Sequence, residues 1–275
     1  MAATRRDIMS IGLEDHDQLN AELGGGFPPG SIILMEGDYG AGKSALSQRF
    51  AYGLVQEGNT VTMLSTELTV SGFIEQMYSL SYDVTSPLLE EKLLFLEANF
   101  DSGGALSGDD DQERKELLKR LMEAEAMWEM DVVIIDTFDA ILRNDPKFES
   151  LVREDEGRQA ALEIISFFRD QISRGKVIVI TVDPSTVTED AIGQFRSIAD
   201  IFLELPMTEV GNEVRRGISV ILFAAMAAQL GDNIVFSVRP GIGTAIESRS
   251  VACAHTYDRT TNTNRIRRTE TGRKP

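Results

Sequence analysis

Apolar residues in this chain gather into short unbroken runs: Ile32-Ile33-Leu34-Met35, Val132-Val133-Ile134-Ile135 and Val177 to Val182. Runs without alternation read as strands buried on both faces of a parallel sheet. Between them the spacing changes to three and four. Leu46, Phe50 and Leu54 form one helical stripe, with Gln48, Arg49 and Glu57 off it and Gly58-Asn59 ending it. The pattern predicts strands at Ser31–Glu36, Thr60–Thr66, Lys92–Glu97, Val132–Asp136, Lys176–Val182, Ile201–Leu205, Gly217–Phe223 and Ile234–Val238. Helices are predicted from about Ala45, over Val70–Leu80, within Gln112–Met130 and over Glu154–Ser173, the last stopped by Gly175. Gly24-Gly25-Gly26 and Pro28-Pro29-Gly30 supply the turns that deliver the chain into the first strand. Strands alternating with helices specify an α/β fold, a parallel sheet covered on both sides.

Two stretches fall outside this pattern. The acidic, glycine-bearing segment Asp101–Asp111 has nothing to bury and reads as a solvated loop. Residues His255–Pro275 are rich in Thr, Asn and Arg, net +4, and read as a disordered basic tail behind a single domain of residues 1–254. A chain of 275 residues with 42% hydrophobic content can bury a sizeable core. Its formal charge of −17 argues against a nucleic-acid surface, which needs clustered Lys and Arg. Lysine is scarce, 7 against 20 arginines, and an acidic, lysine-poor surface suits concentrated salt, where screening removes self-repulsion. The single Cys253 implies no disulfide, no metal site and a reducing compartment. Neither a secretory leader nor a membrane-length apolar run is read, so a cytoplasmic protein is expected.

The chemistry concentrates in Gly37-Asp38-Tyr39-Gly40-Ala41-Gly42-Lys43-Ser44, a complete G-x-x-x-x-G-K-S phosphate loop between the first strand and a helix. A triphosphate is concentrated negative charge, and backbone N–H groups can wrap it only where side chains leave room. Gly37, Gly40 and Gly42 leave that room. Lys43 would reach the β and γ phosphates, Ser44 would ligate Mg²⁺, and the following helix aims its positive end at the same anion. Asp136 closes an apolar strand about ninety residues on, the pattern of a Walker B acid that holds Mg²⁺ through Ser44 or water.

Glu67 ends the second strand, and the carboxyl ends of parallel strands converge on the ligand crevice. A carboxylate there can orient and activate the water that attacks a γ-phosphate; the alternatives are a helix cap or a solvent-facing side chain. Thr181 and Asp183 end another strand at the same rim and either sense the γ-phosphate or form a satisfied turn before Pro184. Arg143, Arg153 and Arg158 are interleaved with acids and read as a salt-bridged surface rather than an anion lid. His16 and His255 are isolated. No Asn-Lys-x-Asp element for reading guanine occurs.

Asp17-Gln18-Leu19-Asn20, Gly24 through Ser31, Glu36 through Ser44, Ser65-Thr66-Glu67 and Arg196-Ser197-Ile198-Ala199-Asp200 together resemble the FlaH family of archaellum accessory ATP-binding proteins. That family is a branch of the KaiC-like RecA-type ATPases. The likeness runs over about residues 8 to 250. It implies a RecA-like P-loop NTPase core with a mostly parallel twisted sheet and helices on both faces, ATP and Mg²⁺ as ligands, and assembly into a ring, a hexamer in expectation. It also implies docking at the cytoplasmic face of the membrane to the archaellum motor ATPase, the membrane platform protein and scaffold proteins. By position, Lys43 and Ser44 match the Walker A residues, Asp136 the Walker B acid and Glu67 the glutamate at the second strand end. One departure stands out. KaiC-like proteins usually carry a Lys and an Arg in a late strand that reach a neighbour's nucleotide, and here that region reads Ile221-Leu222-Phe223-Ala224-Ala225-Met226-Ala227. Slow or absent ATP hydrolysis is the expectation unless Arg215 or Arg216 substitutes, with an active ATPase or autokinase as the alternative.

Overall fold

The computed structural model describes residues 8–98, 117–145, 154–210, 213–224 and 233–247. A short helix α1 (Leu19–Glu22) lies in the amino-terminal strap. Then come β1 (Ile32–Glu36), α2 (Lys43–Gln56), β2 (Val61–Ser65), α3 (Val70–Ser79), α4 (Thr85–Leu89) and β3 (Leu93–Glu97). The middle of the chain holds α5 (Leu117–Glu123), α6 (Glu125–Glu129), β4 (Val132–Asp136), α7 (Phe138–Asn144), α8 (Glu154–Ser173) and β5 (Val177–Val182). It closes with α9 (Glu189–Arg196), β6 (Ile201–Glu204), β7 (Met207–Val210), β8 (Glu213–Phe223), β9 (Asn233–Arg239) and β10 (Gly243–Glu247).

The strands form one sheet in the order β10-β9-β8-β6-β1-β5-β4-β2-β3, with β7 paired to β8. From β6 to β3 every pairing is parallel. The unbroken apolar runs have the cause assigned to them. Ile33 and Met35 of β1 join a core with Leu46, Phe50 and Leu54 of α2 on one face. Ile32 and Leu34 join a second core with Phe138, Ile164 and Phe168 on the other. Each strand residue is buried because both faces are covered.

The structure departs from the pattern reading in more than the short helices α1, α4, α7 and α9, which the pattern does not predict. The sheet is parallel only in part: β8, β9 and β10 pair antiparallel, as does β7 with β8. Their connections are too short for crossover helices, so the chain turns back on itself instead. The strands β7 and β10 are short and poor in large apolar residues, which hid them. The helix-forming stretch leading to β4 is broken at Ala124 (φ −73°, ψ 71°) into α5 and α6. Finally, Gln48 and Arg49 are fully buried although they lie off the apolar stripe. Segment Asp101–Asp111, Cys253 and the tail 255–275 lie outside the described residues.

Arg49 is buried because the strap folds over α2. Its guanidinium makes a two-pronged pair with Asp17 (Nε–Oδ2 2.9 Å, NH2–Oδ1 2.7 Å) and donates to the carbonyls of Ile11 and Gly12. Asn20 fastens the same strap by accepting from the Ile11 N–H at 3.0 Å. Gly53 lets the strap pass, since a Cβ there would lie 1.9 Å from the Ile11 carbonyl oxygen. Thus Asp17 and Asn20, residues that carried the family resemblance, hold the helix behind the phosphate loop.

Candidate nucleotide-binding site

Strand β1 ends in Glu36, and the chain leaves the sheet at Gly37, whose N–H donates to the Val182 carbonyl at 3.2 Å. A side chain at Gly37 would press into Leu205 at 2.9 Å. Gly40 and Gly42 adopt φ of +82° and +97°, where L residues are strained, and Gly42 is the N-cap of α2. A Cβ on Gly42 would meet the Phe236 ring of β9 at 2.9 Å, so the antiparallel extension backs the loop. Lys43 Nζ donates to the Gly37 and Asp38 carbonyls, the latter at 3.0 Å. Asp38 is exposed and Tyr39 stands out at the crest, 88% exposed. Ala41 is buried beneath, and Ser44 begins the helix beside Lys43.

Asp136 closes β4 almost completely buried. Its Oδ1 accepts from Thr181 Oγ1 at 2.9 Å and lies 3.5 Å from Ser47 Oγ, while Oδ2 has no hydrogen-bond partner. Burial pushes its pKa above the usual carboxylate value; the nearby Ser44 and Thr181 hydroxyls oppose the rise, the Glu67 charge adds to it and Lys43 opposes it. A buried carboxylate oxygen with no donor, beside the Ser44 hydroxyl, is chemically matched to a hard divalent cation such as Mg²⁺. The donor set therefore fits the metal that the sequence implies.

Glu67 lies two residues beyond Ser65, which is in register with Asp136 across β2 and β4. Its side chain is exposed at the crevice rim. It does not cap the next helix; Thr69 does, accepting from the Gly72 N–H at 3.1 Å. Thr181 is turned inward, not toward a ligand. Besides donating to Asp136 it accepts from the Thr137 N–H at 2.7 Å. That bond holds Thr137 in a left-handed conformation (φ 62°) unusual for a β-branched residue. Asp183 is a satisfied turn residue, accepting from the Ser185 N–H at 2.9 Å and its hydroxyl at 2.6 Å. Burial alone would raise its pKa, but Ser185, Lys43 and Arg143 together hold it below the usual value. Arg143 pairs at 3.3 Å with Asp139, a buried acid rather than one of a solvated surface; Arg153 and the Arg158 side chain lie outside the described residues.

Two contributors were not read from the sequence, and a third, Arg216, was named there only as one of a pair. Asp139 accepts from the Asp183 N–H at 3.2 Å and Thr186 Oγ1 at 2.8 Å, fixing the loop after β5. Arg196 clamps Glu36 through two 2.7 Å bonds just before the phosphate loop, and its pKa is raised by that carboxylate. Arg216 donates from Nε to the Gly40 carbonyl at 2.8 Å, so β8 brings a cation onto the chain's own loop. Arg215 is paired in register with Thr208 and, by strand alternation, projects to the opposite face. The i,i+1 pair Arg215-Arg216 held the signal, but only the register of β8 tells which member reaches the loop. Ile221 and Leu222 are exposed at the far end of β8, near the start of β6, and Ala225–Ala227 lie outside the described residues.

Comparison with known proteins agrees with this geometry. The family model described as KaiC ATPase matches residues 9–224. The archaeal flagellar ATP-binding protein FlaH of Methanocaldococcus jannaschii is 34% identical over 236 residues, 86% of this chain and 94% of the relative. The crystal structure of the flagellar accessory protein FlaH from that organism superposes with a TM-score of 0.75 at 32% identity, covering 88% of this chain and all of the other. A KaiC-like protein from Pyrococcus horikoshii shares the fold, with a TM-score of 0.62 at 19% identity over 89% of this chain and 99% of its own. Among the described residues no helix is long and apolar enough to cross a membrane.

Proposed function

The chain belongs to the FlaH family of KaiC-type ATPases, and from that premise we propose that it binds Mg·ATP and uses the bound state, rather than rapid turnover, to control assembly at the archaellum motor. The observation that carries this reading is the unpartnered, buried Asp136 Oδ2 beside Ser44 at the foot of an intact phosphate loop. Lys43, whose ammonium rests on two loop carbonyls, can exchange them for the β and γ phosphates without leaving the loop. Ser44 and Asp136 would hold Mg²⁺, which supplies charge neutralisation between the phosphates. Arg216, on the Gly40 carbonyl, stiffens the loop crest and adds positive charge beside it.

Slow hydrolysis follows from what the late strand presents to a neighbour, with Arg216 engaged on the Gly40 carbonyl of its own loop. Ile221 and Leu222 cannot stabilise charge on a neighbour's nucleotide, and a trans arginine is worth about 10³-fold or more in phosphoryl transfer. In this reading the protein forms a homo-oligomeric ring, a hexamer, in the cytoplasm. It meets the motor ATPase, the membrane platform and scaffold proteins at the membrane face without inserting. Bound nucleotide acts only if the ATP-bound and empty forms differ in partner affinity. Binding of the motor ATPase by wild-type protein and Lys43→Ala, each with and without Mg·ATP, tests it. Tighter binding is expected for wild type with Mg·ATP alone; equal affinity in all four cases overturns the reading.

A second reading, a working ATPase or autokinase, is favoured by the field of Glu67 at Asp136, which puts a second carboxylate near the metal ligand. It requires phosphate release or protein labelling that vanishes in Glu67→Gln while ATP binding survives.

A further inference from the structure

Helix α3 starts three residues after Glu67 and one residue after its own cap, Thr69. Its buried side is Phe73 and Met77, packed in the core beneath. Beside that side, at i, i+4 and i+8, Val70, Ile74 and Tyr78 are 48%, 39% and 80% exposed. With Leu80, the apolar arc of the helix spans about 160°, wider than an arc of roughly 100° that serves one core contact. Leu89, at the end of α4, is a further large exposed apolar residue of the same region, 80% exposed.

The surrounding charge is mostly of one sign, with Lys92, paired to Glu90 at 2.7 Å, a cation at its edge. Residues 50 to 91 contain Glu57, Glu67, Glu75, Asp83, Glu90 and Glu91 and no Lys, Arg or His. All but the first of these belong to or flank α3 and α4, and all are exposed. Tyrosine among aliphatic side chains within an acidic rim is the composition of a protein-docking surface. A second copy of an acidic chain would bring like charges together there.

We infer that the Val70–Ile74–Tyr78 face of α3 is a docking surface for an apolar helix of another protein whose flanks carry Lys and Arg. The apolar stripe supplies affinity and the acidic rim supplies orientation and speed of encounter. Its position gives it a route to the nucleotide. Ser65, in register with Asp136, accepts from the N–H groups of Glu67 (3.3 Å) and Leu68 (3.2 Å), so the turn that aims α3 begins at the metal-ligand strand pair. That route rests on the nucleotide-controlled reading above; the surface itself does not.

The test uses the full chain and a synthetic amphipathic helix of about 18 residues with a Leu face flanked by Lys, followed by fluorescence anisotropy. Binding by wild type is expected, weakened about 10-fold or more by Ile74→Ser/Tyr78→Ser and unchanged by Leu162→Ser, an exposed apolar residue on α8. A peptide with its Leu residues replaced by Ser is expected to bind about 10-fold more weakly than the parent. Equal binding of the Leu-faced peptide to wild type and the double variant, or equal binding of the two peptides to wild type, overturns the surface. So does loss of self-association by the double variant in light scattering with peptide binding intact. Adding Mg·ATP separates the two ideas: an unchanged peptide affinity overturns the route to the nucleotide while the surface stands.

Discussion

One oxygen of Asp136 is the atom that a divalent cation would meet. Asp136 Oδ2 is buried without a donor, whereas Oδ1 is held by Thr181. Asp136→Asn keeps the Thr181 bond and the shape but removes the charge that would hold Mg²⁺. Calorimetric titration is expected to show ATP still binding, with the gain in affinity from Mg²⁺ cut by about 10-fold or more. Arg49 is the other residue on which much depends. Removing one member of a buried pair costs about 3–5 kcal/mol because the other is left charged and unsatisfied. Arg49→Met should lower the urea midpoint accordingly, and Asp17→Leu/Arg49→Met should regain part of the loss. Gly53→Ala should cost about 1–3 kcal/mol by driving a methyl into the Ile11 carbonyl. These residues also mark how far the sequence could be read. Lys43, Ser44 and Asp136 were legible because phosphate and metal chemistry demand those types at that spacing. Arg49 was not, because its partner lies far back in the chain and periodicity places a lone arginine in solvent.

Elements were legible in proportion to how much each buries. The strands β1, β4 and β5, covered on both faces, announce themselves as unbroken apolar runs. The edge pieces β7 and β10 do not, since their short, small or polar residues look like loops until a neighbour supplies hydrogen bonds. One edge contact has a pH consequence. The Tyr82 hydroxyl accepts from the Thr244 N–H at 3.0 Å and ties the turn after α3 to β10. Burial raises the Tyr82 pKa above 10.0, although Thr244 opposes the rise. A folded value above the unfolded one means that this contribution is complete below pH 10 and lost as pH rises through the higher folded value. Urea melts over that range are expected to show a downward slope that Tyr82→Phe flattens.

For the whole molecule, 44 acidic against 27 basic residues produce a self-repulsion that salt screens. Unfolding free energy should climb as potassium chloride is raised from about 0.1 M toward about 1 M, where the screening length falls to roughly 3 Å. A flat response would show that paired contacts such as Arg196–Glu36 already balance the surface. Fold class was legible from the alternation of runs and stripes. The antiparallel half of the sheet was not, because hairpin direction follows from connection length and edge pairing rather than from hydrophobic period.

Phe236 gives that half of the sheet a purpose beyond size. Its ring stands against Gly42 as a backstop, placed there by a strand nearly two hundred residues downstream. Grafting Gly37–Ser44 into a smaller, wholly parallel scaffold would therefore transplant the letters without the wall they lean on. Drift in the carboxy-terminal hairpins of related chains should register first as altered grip on the phosphates, long before any residue of the loop itself has changed.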